Sequence, residues 1–156
     1  MRILIAVCVF IGMFVMCEGC SCWYGTPLTP KSFGCRSDFI IIAEVLSDMR
    51  SLVPTDIFNM YYRIRRPSPR DIIKFTRSMA GINLRRVYTA ENSALCGIRL
   101  DRGWHILSGY IEGNRLMMNL CMSWREPFPM SMEAETLLSR FAGNSVKCLP
   151  EDFPWG

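Results

Sequence analysis

The chain has 156 residues, with 18 lysines and arginines against 14 aspartates and glutamates, so its net charge is +4 with the single histidine neutral. This length predicts one domain rather than several. Half of the residues are hydrophobic and 21% are charged, a composition that excludes wholesale disorder because such a chain can bury a core. Only the first stretch stays apolar for long, which excludes a membrane span elsewhere.

The chain begins with a segment typical of a secretory signal peptide. Arg2 precedes an uninterrupted apolar run over 3–16, and small side chains follow at positions 17 and 19. The run is shorter than the ~20 residues that a membrane-spanning helix needs. We therefore predict that residues 1–19 are a signal peptide cleaved before Cys20, and that the protein is secreted. An uncleaved anchor is the alternative.

Cysteine number and spacing predict disulfides rather than a metal site. Removal of residues 1–19 leaves six of the eight cysteines, namely Cys20, Cys22, Cys35, Cys96, Cys121 and Cys148. An even set in a secreted chain indicates three disulfides, although spacing selects none of the possible pairings. Because a single residue separates Cys20 from Cys22, and only one histidine is present, a structural zinc site is disfavoured.

The first half of the cleaved chain predicts an irregular arm followed by short strands. Between Cys22 and Cys35, prolines and glycines allow at most one helical turn. A run rich in β-branched residues over 39–46 predicts a buried strand, and 47–56 reads as a loop. Alternation of apolar residues with arginine over 58–66 predicts a half-exposed strand that ends before Pro67.

The second half predicts four more strands and one helix. Strands are expected over 72–76, 85–89, 104–111 and 115–122, with a tight Gly-Asn turn joining the last two. Ser131 can cap a helix whose apolar residues recur with helical spacing up to Phe141, and Gly143 ends it. Five to six strands, a late helix and no strand–helix alternation predict an antiparallel barrel or sandwich with a packed helix.

Patterns that would carry catalysis are missing from the sequence. His105 stands alone inside a predicted strand, where a packed or surface role is the simplest interpretation. A glycine-rich phosphate loop, a nucleophile elbow and a zinc protease helix motif are all absent. Carboxylate pairs such as Asp101 with Glu112 arise by chance in a chain of this size. We therefore predict that the protein is not an enzyme.

A cluster of arginines leaves a second possibility open. Arg63, Arg65, Arg66 and Arg70 lie close together in the sequence. Such a cluster is able to bind a polyanion, but alternation along a strand favours a solvated face. If the cluster does bind, the protein would be an extracellular binding module for matrix, heparin-like glycans or growth factors.

Several motifs resemble those of the tissue inhibitors of metalloproteinases. The resemblance rests on the Cys20-Ser21-Cys22 start after the signal peptide, the segment over 87–97 that contains Cys96, and the remaining cysteines at long intervals. It covers the whole cleaved chain and implies that 20–156 is one netrin-like (NTR) domain. The implied fold is mainly β, an OB-fold barrel of five to six antiparallel strands with flanking helices. The family's cysteine order implies the disulfides Cys20–Cys96, Cys22–Cys121 and Cys35–Cys148.

The resemblance also implies a mechanism and a set of contact residues. The α-amino and carbonyl groups of Cys20 would chelate the catalytic zinc of a matrix metalloproteinase or an adamalysin. The protein would have no cofactor of its own, because this zinc belongs to the protease. The implied protease-binding residues are Cys20, Ser21, Cys22, Trp23, Asn92, Ser93, Ala94 and Leu95.

Two departures from the family pattern affect what is expected. Trp23 and Tyr24 occupy an arm in which the family usually has a proline, which affects fine specificity. Together with the arginine cluster, this departure motivates the alternative, a netrin-like binding module for matrix, heparin-like glycans or growth factors that inhibits nothing. The chain ends shortly after Cys148 without the second domain of vertebrate members. We therefore expect a single-domain, invertebrate-type member in the extracellular space or matrix. We also expect a monomer with no nucleic-acid partner and no membrane span.

Overall fold

The computed structural model describes Cys20, Cys22 and residues 28–153. The predicted signal peptide, the predicted contact residues Ser21 and Trp23, and the neighbouring Tyr24 lie outside the described residues. In the described part of the chain, no helix is both long enough and apolar enough to cross a membrane.

Seven strands form one curved sheet in the described residues. They are β1 (Phe39–Val45), β2 (Met60–Arg63), β3 (Ile72–Phe75), β4 (Arg86–Thr89), β5 (Gly103–Glu112), β6 (Arg115–Met117) and β7 (Arg125–Pro127). The sheet order is β2-β4-β6-β5-β1-β3, with β7 paired to β5. Two isolated bridges close the sheet in part. One joins Val45, the last residue of β1, to Ile64, which follows β2, and the other joins Arg50 in the loop after β1 to Tyr61 in β2. The predicted mainly-β, OB-like class is confirmed.

Two details of the sheet differ from the sequence prediction. The prediction was five to six antiparallel strands, whereas the structure has seven and pairs β4 with β6 in parallel. The unpredicted strand β7 ends at Pro127, the first residue of the Pro-Phe-Pro break, and pairs with β5, where Arg125 lies opposite Leu107. Proline lacks a backbone N–H and is tolerated at a sheet edge, so it ends β7 instead of preventing it.

Strand β1 separates two apolar cores. Phe39, Ile41 and Val45 face the barrel interior, whereas Ile40 faces a second cluster under the helices. Because both faces of β1 are buried, its sequence is a continuous apolar run rather than an alternating one. Ile40 and Ile41 are each fully buried, and burial of a side chain of this size contributes about 1.5–3 kcal/mol.

Helix α1 (Pro30–Arg36) corrects the prediction of an irregular arm. Thr29 caps the helix by accepting a hydrogen bond from the Ser32 N–H at 3.2 Å, and Pro30 occupies the first turn, where its missing N–H costs nothing. Gly34 lies against the ring of Phe141, since an added Cβ would come within 2.4 Å of that ring. The helix therefore forms because its cap and its packing outweigh the glycine.

Helix α2 (Met132–Ala142) confirms the predicted late helix. The Ser131 side chain accepts a hydrogen bond from the Ala134 N–H at 3.2 Å, and Gly143 lies at the C-terminal cap. Leu138 and Phe141 are buried in the cluster beneath α1 and α2. The two helices thus cover part of the outer face of the sheet, and the inner face encloses the main core.

The remaining sequence predictions agree with the structure apart from their ends. Strands β1, β3, β4 and β5 and the hairpin turn at Gly113 are confirmed. Strand β2 is shorter than predicted, and β6 ends at Met117 rather than at residue 122 because the chain turns there. His105 is packed, with 5% of its surface exposed and its Nε2 atom 2.8 Å from the Asp101 carbonyl oxygen.

Candidate functional site

The loop after β4 forms an exposed, hydrogen-bonded edge. Asn92 precedes a short 3-10 turn, Ser93–Leu95, and its Oδ1 atom accepts a hydrogen bond from the Leu95 N–H at 3.2 Å. Cys96 follows with a φ of 62°, and its N–H donates to the Ser93 carbonyl oxygen at 3.1 Å. Asparagine suits this position because its short side chain bonds to the backbone that follows. The predicted contact residues Asn92, Ser93 and Ala94 are exposed on this edge.

Cys20 is held against this edge by a covalent bond and a polar contact. The disulfide Cys20–Cys96 brings the two Cα atoms to 4.9 Å. In addition, the Cys20 backbone nitrogen donates to the Ser93 carbonyl oxygen at 3.4 Å. The position of Cys20 is therefore defined by the loop that carries the other predicted contacts.

A second disulfide, Cys22–Cys121, fixes the next part of the arm, with a Cα separation of 5.3 Å. The sulfur atoms of Cys20 and Cys121 lie 3.3 Å apart, so the two disulfides stack on each other. Cys121 belongs to a preformed turn, because its N–H donates to Asn119 Oδ1 at 3.0 Å and the Asn119 N–H donates to Ser123 Oγ at 3.1 Å. Cys20 and Cys22 are therefore both attached by disulfides to hydrogen-bonded loops of the sheet.

The third disulfide joins Cys35 in α1 to Cys148, with a Cα separation of 5.7 Å. The structure thus contains the same three pairs that the family resemblance implies. These disulfides close long stretches of chain, with sequence separations of 76, 99 and 113. Closure of such loops stabilises by about 2–4 kcal/mol in typical cases.

The sulfur atoms of Cys20, Cys96 and Cys121 lie within 4.8 Å of one another, a spacing that a metal cluster would also show. Each of these atoms is already bonded in a disulfide. Zinc is bound by the thiolate form of cysteine, which a disulfide does not provide. The cluster is therefore a structural junction and not a metal centre.

Close backbone packing supports the edge from behind. An added Cβ at Gly97 would lie 2.1 Å from the Ala90 carbonyl oxygen and 2.8 Å from that of Asn92. Only glycine permits this approach, which brings the two ends of the loop together. The Leu120 N–H donates to the Cys96 carbonyl oxygen at 2.9 Å, so the loop is also tied to the turn that carries Cys121.

A buried tyrosine fixes the segment that follows the loop. Tyr62 is 2% exposed, donates its hydroxyl to the Ile98 carbonyl oxygen at 3.2 Å and accepts from the Leu100 N–H at 3.1 Å. Burial raises the pKa of Tyr62 further above physiological pH, where a tyrosine hydroxyl is already protonated and able to donate. The backbone behind Cys96 is therefore fixed to β2.

Two shallow cavities flank the edge. One, of about 310 Å³, is lined by residues that include Asn92, Ser93, Arg99 and Arg125. The other, of about 340 Å³, is lined by residues that include Leu95, Cys96, Phe58 and Tyr110. Residues of the exposed edge therefore line both cavities.

Sequence reasoning missed the residues that support the edge. Asn119 and Ser123 shape the turn of Cys121, and Arg99 and Arg125 line the cavity beside Ser93. An asparagine two residues before Cys121 is a turn signal, similar to the asparagine four residues before Cys96, and it was visible in the sequence. The two arginines gave no such signal, because only the tertiary structure brings them to the loop.

The fold and the site define a class of protein. It is a disulfide-stapled OB-like barrel that fixes a short cysteine arm against an exposed loop. A family model described as tissue inhibitor of metalloproteinase matches residues 18–148. The chain belongs to the tissue inhibitor of metalloproteinase family, as its cysteine pattern predicted.

Individual relatives agree with this membership. Metalloproteinase inhibitor 2 of Homo sapiens is 28% identical over 108 residues, covering 67% of this chain and 47% of the relative. The proteins of that name from Rattus norvegicus and Canis lupus familiaris are 28% and 29% identical over the same number of residues. The chain therefore spans about half the length of the curated relatives it matches.

Proposed function

We propose that this chain is a secreted inhibitor of zinc metalloproteinases of the matrix metalloproteinase or adamalysin type. In this proposal, removal of residues 1–19 makes Cys20 the first residue, and its α-amino nitrogen and carbonyl oxygen chelate the zinc of the protease. The main support for this proposal is the attachment of Cys20 to the loop that contains Ser93. A disulfide joins Cys20 to Cys96, and the Cys20 backbone nitrogen lies 3.4 Å from the Ser93 carbonyl oxygen. Family membership supports the same function.

Chelation at the protease zinc would block hydrolysis directly. A catalytic zinc keeps an open position for water, and that water is the nucleophile in peptide hydrolysis. The nitrogen and oxygen of one residue form a five-membered ring with a metal, so Cys20 would displace the water. The protein contributes no metal of its own to this reaction. It contributes a rigid bidentate ligand.

The contact with Ser93 suits the protonation state that chelation requires. A free α-amino group has a pKa of about 7.7–8.0 and must be neutral to bind a metal. A neutral amine has one lone pair for zinc and retains N–H groups, one of which is able to donate to the Ser93 carbonyl oxygen. This hydrogen bond would orient the lone pair away from the loop and towards the protease.

Rigidity is the second contribution to affinity. Binding normally costs free energy because flexible segments become ordered. Here the disulfides Cys20–Cys96 and Cys22–Cys121 hold Cys20 and Cys22 in place before the protease arrives. Ser21 would then point towards the S1′ pocket of the protease, Trp23 would contact the primed side, and the exposed edge at Asn92–Leu95 would form the second contact surface.

The experiment combines N-terminal sequencing of the secreted protein with titration of a matrix metalloproteinase catalytic domain, using a fluorogenic peptide as substrate. We expect Cys20 at the terminus and stoichiometric loss of protease activity. A variant with one alanine before Cys20 is expected to fold with the same thermal midpoint. It is expected to inhibit roughly 100-fold less, because loss of a residue that only supports a metal ligand already costs about 10–100-fold in metal affinity.

The matched control carries one alanine after Gly156, which alters the chain length equally and leaves Cys20 free. This variant is expected to inhibit like the unmodified protein. Equal inhibition by both extended variants would contradict chelation through the α-amino group. A free Cys20 terminus with no inhibition of several metalloproteinases would contradict the proposed function itself.

A further inference from the structure

An arginine-lined groove crosses the outer face of the barrel where β2 and β4 pair. Its volume is about 680 Å³. Six arginines line it, namely Arg50, Arg63, Arg65, Arg66, Arg85 and Arg86, together with Leu46, Tyr61, Ile64 and Asn83. None of these lining residues is acidic. The groove therefore concentrates six positive charges with no acidic side chain in its lining.

The β-sheet register produces this concentration. Tyr62 and Val87 face the core, so their neighbours Arg63 and Arg86 face outward on adjacent strands. Arg63 and Arg86 are direct partners in the antiparallel register. The isolated bridge to β2 brings Arg50 to the same groove from the loop after β1. Three separate chain segments thus deliver arginines to one surface.

The charges in the groove are largely uncompensated. Arg65 forms an ion pair with Glu44 at 2.6 Å, the one salt bridge of a groove arginine in the described residues. Asp48, the nearest acid in the loop before Arg50, is bound to Arg102 at 2.6 Å instead. Like charges directly opposite each other on paired strands are destabilising. The fold therefore tolerates repulsion here, as expected of a surface that binds an anion.

An aromatic floor positions one of the cations. The Arg86 guanidinium lies 4.6 Å from the centre of the Tyr61 ring, and Tyr61 is 8% exposed. This cation–π contact limits the freedom of the Arg86 side chain, so less entropy is lost when it binds a ligand.

We propose that this groove binds a sulfated glycan chain. Guanidinium groups donate paired hydrogen bonds to tetrahedral oxyanions, and arginine is preferred over lysine for this geometry. Six arginines along an open groove of this size fit a chain of several sulfates rather than one small ion. Three disulfides indicate an oxidising compartment, where sulfated glycans are the abundant polyanions.

Part of the arginine cluster seen in the sequence lies in this groove. Arg63, Arg65 and Arg66 do line one surface, whereas Arg70 does not line it. Arg50, Arg85 and Arg86 complete the set from distant positions that the sequence pattern did not connect.

The groove lies apart from the proposed inhibitory edge. Strand β4 begins at Arg86 in the groove and ends at Thr89, directly before the loop that carries Ser93. Three steps along a strand span about 10 Å. The groove and the proposed protease-binding edge share no residue, so variants of the two sites are expected to have separate effects.

The test measures elution from immobilised heparin and binding of a heparin oligosaccharide by calorimetry over a range of salt concentrations. Arg63→Gln with Arg86→Gln removes two groove charges and keeps polar stems of similar shape. The control, Arg77→Gln with Arg140→Gln, removes two charges that are exposed and outside the groove. We expect the groove variant to bind about tenfold more weakly, with a salt dependence reduced by about two ions. The control is expected to stay close to the unmodified protein.

Folding and inhibition provide the remaining readouts. The groove variant is expected to keep its thermal midpoint and its inhibition of a metalloproteinase, so failure of the glycan proposal is distinguishable from failure of the inhibitor proposal. If that variant does not fold, Arg50→Gln with Arg66→Gln tests the same groove outside the strands. Equal loss of heparin binding in groove and control variants would overturn the proposal, because it would show non-specific charge attraction. Groove-dependent binding to phosphatidylserine vesicles without heparin binding would also overturn it, in favour of a membrane surface.

Discussion

Replacement of Gly97 by alanine tests whether close backbone packing sets the position of the Cys96 loop. The added Cβ would lie 2.1 Å from the Ala90 carbonyl oxygen and 2.8 Å from that of Asn92. Both are backbone atoms and cannot rotate away, so the loop must move by roughly 1 Å to restore ordinary contact. Overpacking of this kind costs about 1–3 kcal/mol. For a domain of this size, that corresponds to a fall in Tm of roughly 3–12 °C.

The same displacement is expected to weaken inhibition. The Gly97 N–H donates to the Asn92 carbonyl oxygen at 2.8 Å, and a shift of this bond moves Cys96 and, through the disulfide, Cys20. We expect an inhibition constant at least tenfold higher, since a misplaced arm must be reordered on binding at a cost of about 1.4 kcal/mol or more.

The assay is thermal unfolding by circular dichroism, together with titration of a matrix metalloproteinase catalytic domain. Gly143→Ala is the matched control, because its added Cβ would come no closer than 3.4 Å to the Ser139 carbonyl oxygen. The control is expected to change stability by no more than about 1 kcal/mol and to leave inhibition unchanged. If Gly97→Ala proves as stable and as inhibitory as Gly143→Ala, close backbone packing at Gly97 does not set the position of the Cys96 loop.

Two further predictions concern the support of the barrel. Tyr62→Phe leaves the Leu100 N–H without its partner at 3.1 Å in a buried site. We therefore expect the free energy of unfolding to fall by about 1–3 kcal/mol, measured as a lower urea midpoint with an unchanged slope. An unchanged midpoint would refute this prediction. At Asp152, burial alone would raise the pKa of the carboxyl group. Hydrogen bonds from the Leu149 N–H and from Lys31 outweigh burial, so the net effect is a lowered pKa. The Lys31 amino group lies 3.0 Å from the carboxylate. Because the folded pKa is the lower one, this carboxylate stabilises the fold above its unfolded pKa of about 3.9 and loses that effect as pH falls through the folded value. Tm is therefore expected to fall less steeply in Asp152→Asn than in the unmodified protein below about pH 5, and parallel curves would contradict this.

Local patterns in the sequence were sufficient for most of the regular elements. The apolar run of β1 and the capped, periodic helix α2 were predicted because their signals lie within a few consecutive residues. Helix α1 was not predicted, because its prolines and glycines argue against a helix until Phe141 packs on Gly34. Strand β7 and the parallel pairing of β4 with β6 depend on which distant segments meet, and three-residue strands carry little pattern of their own.

The candidate site divides in the same way. The number and spacing of the cysteines, including the Cys-X-Cys start, can be read directly from the amino-acid sequence. The sequence by itself therefore determined that the protein is held by disulfides and to which family it belongs. The tertiary structure decided how Cys20 lies on Ser93, how the two disulfides stack, and how arginines from three segments form one groove. These features are contacts between residues far apart in the chain, and they arise only after the barrel has brought its strands into register.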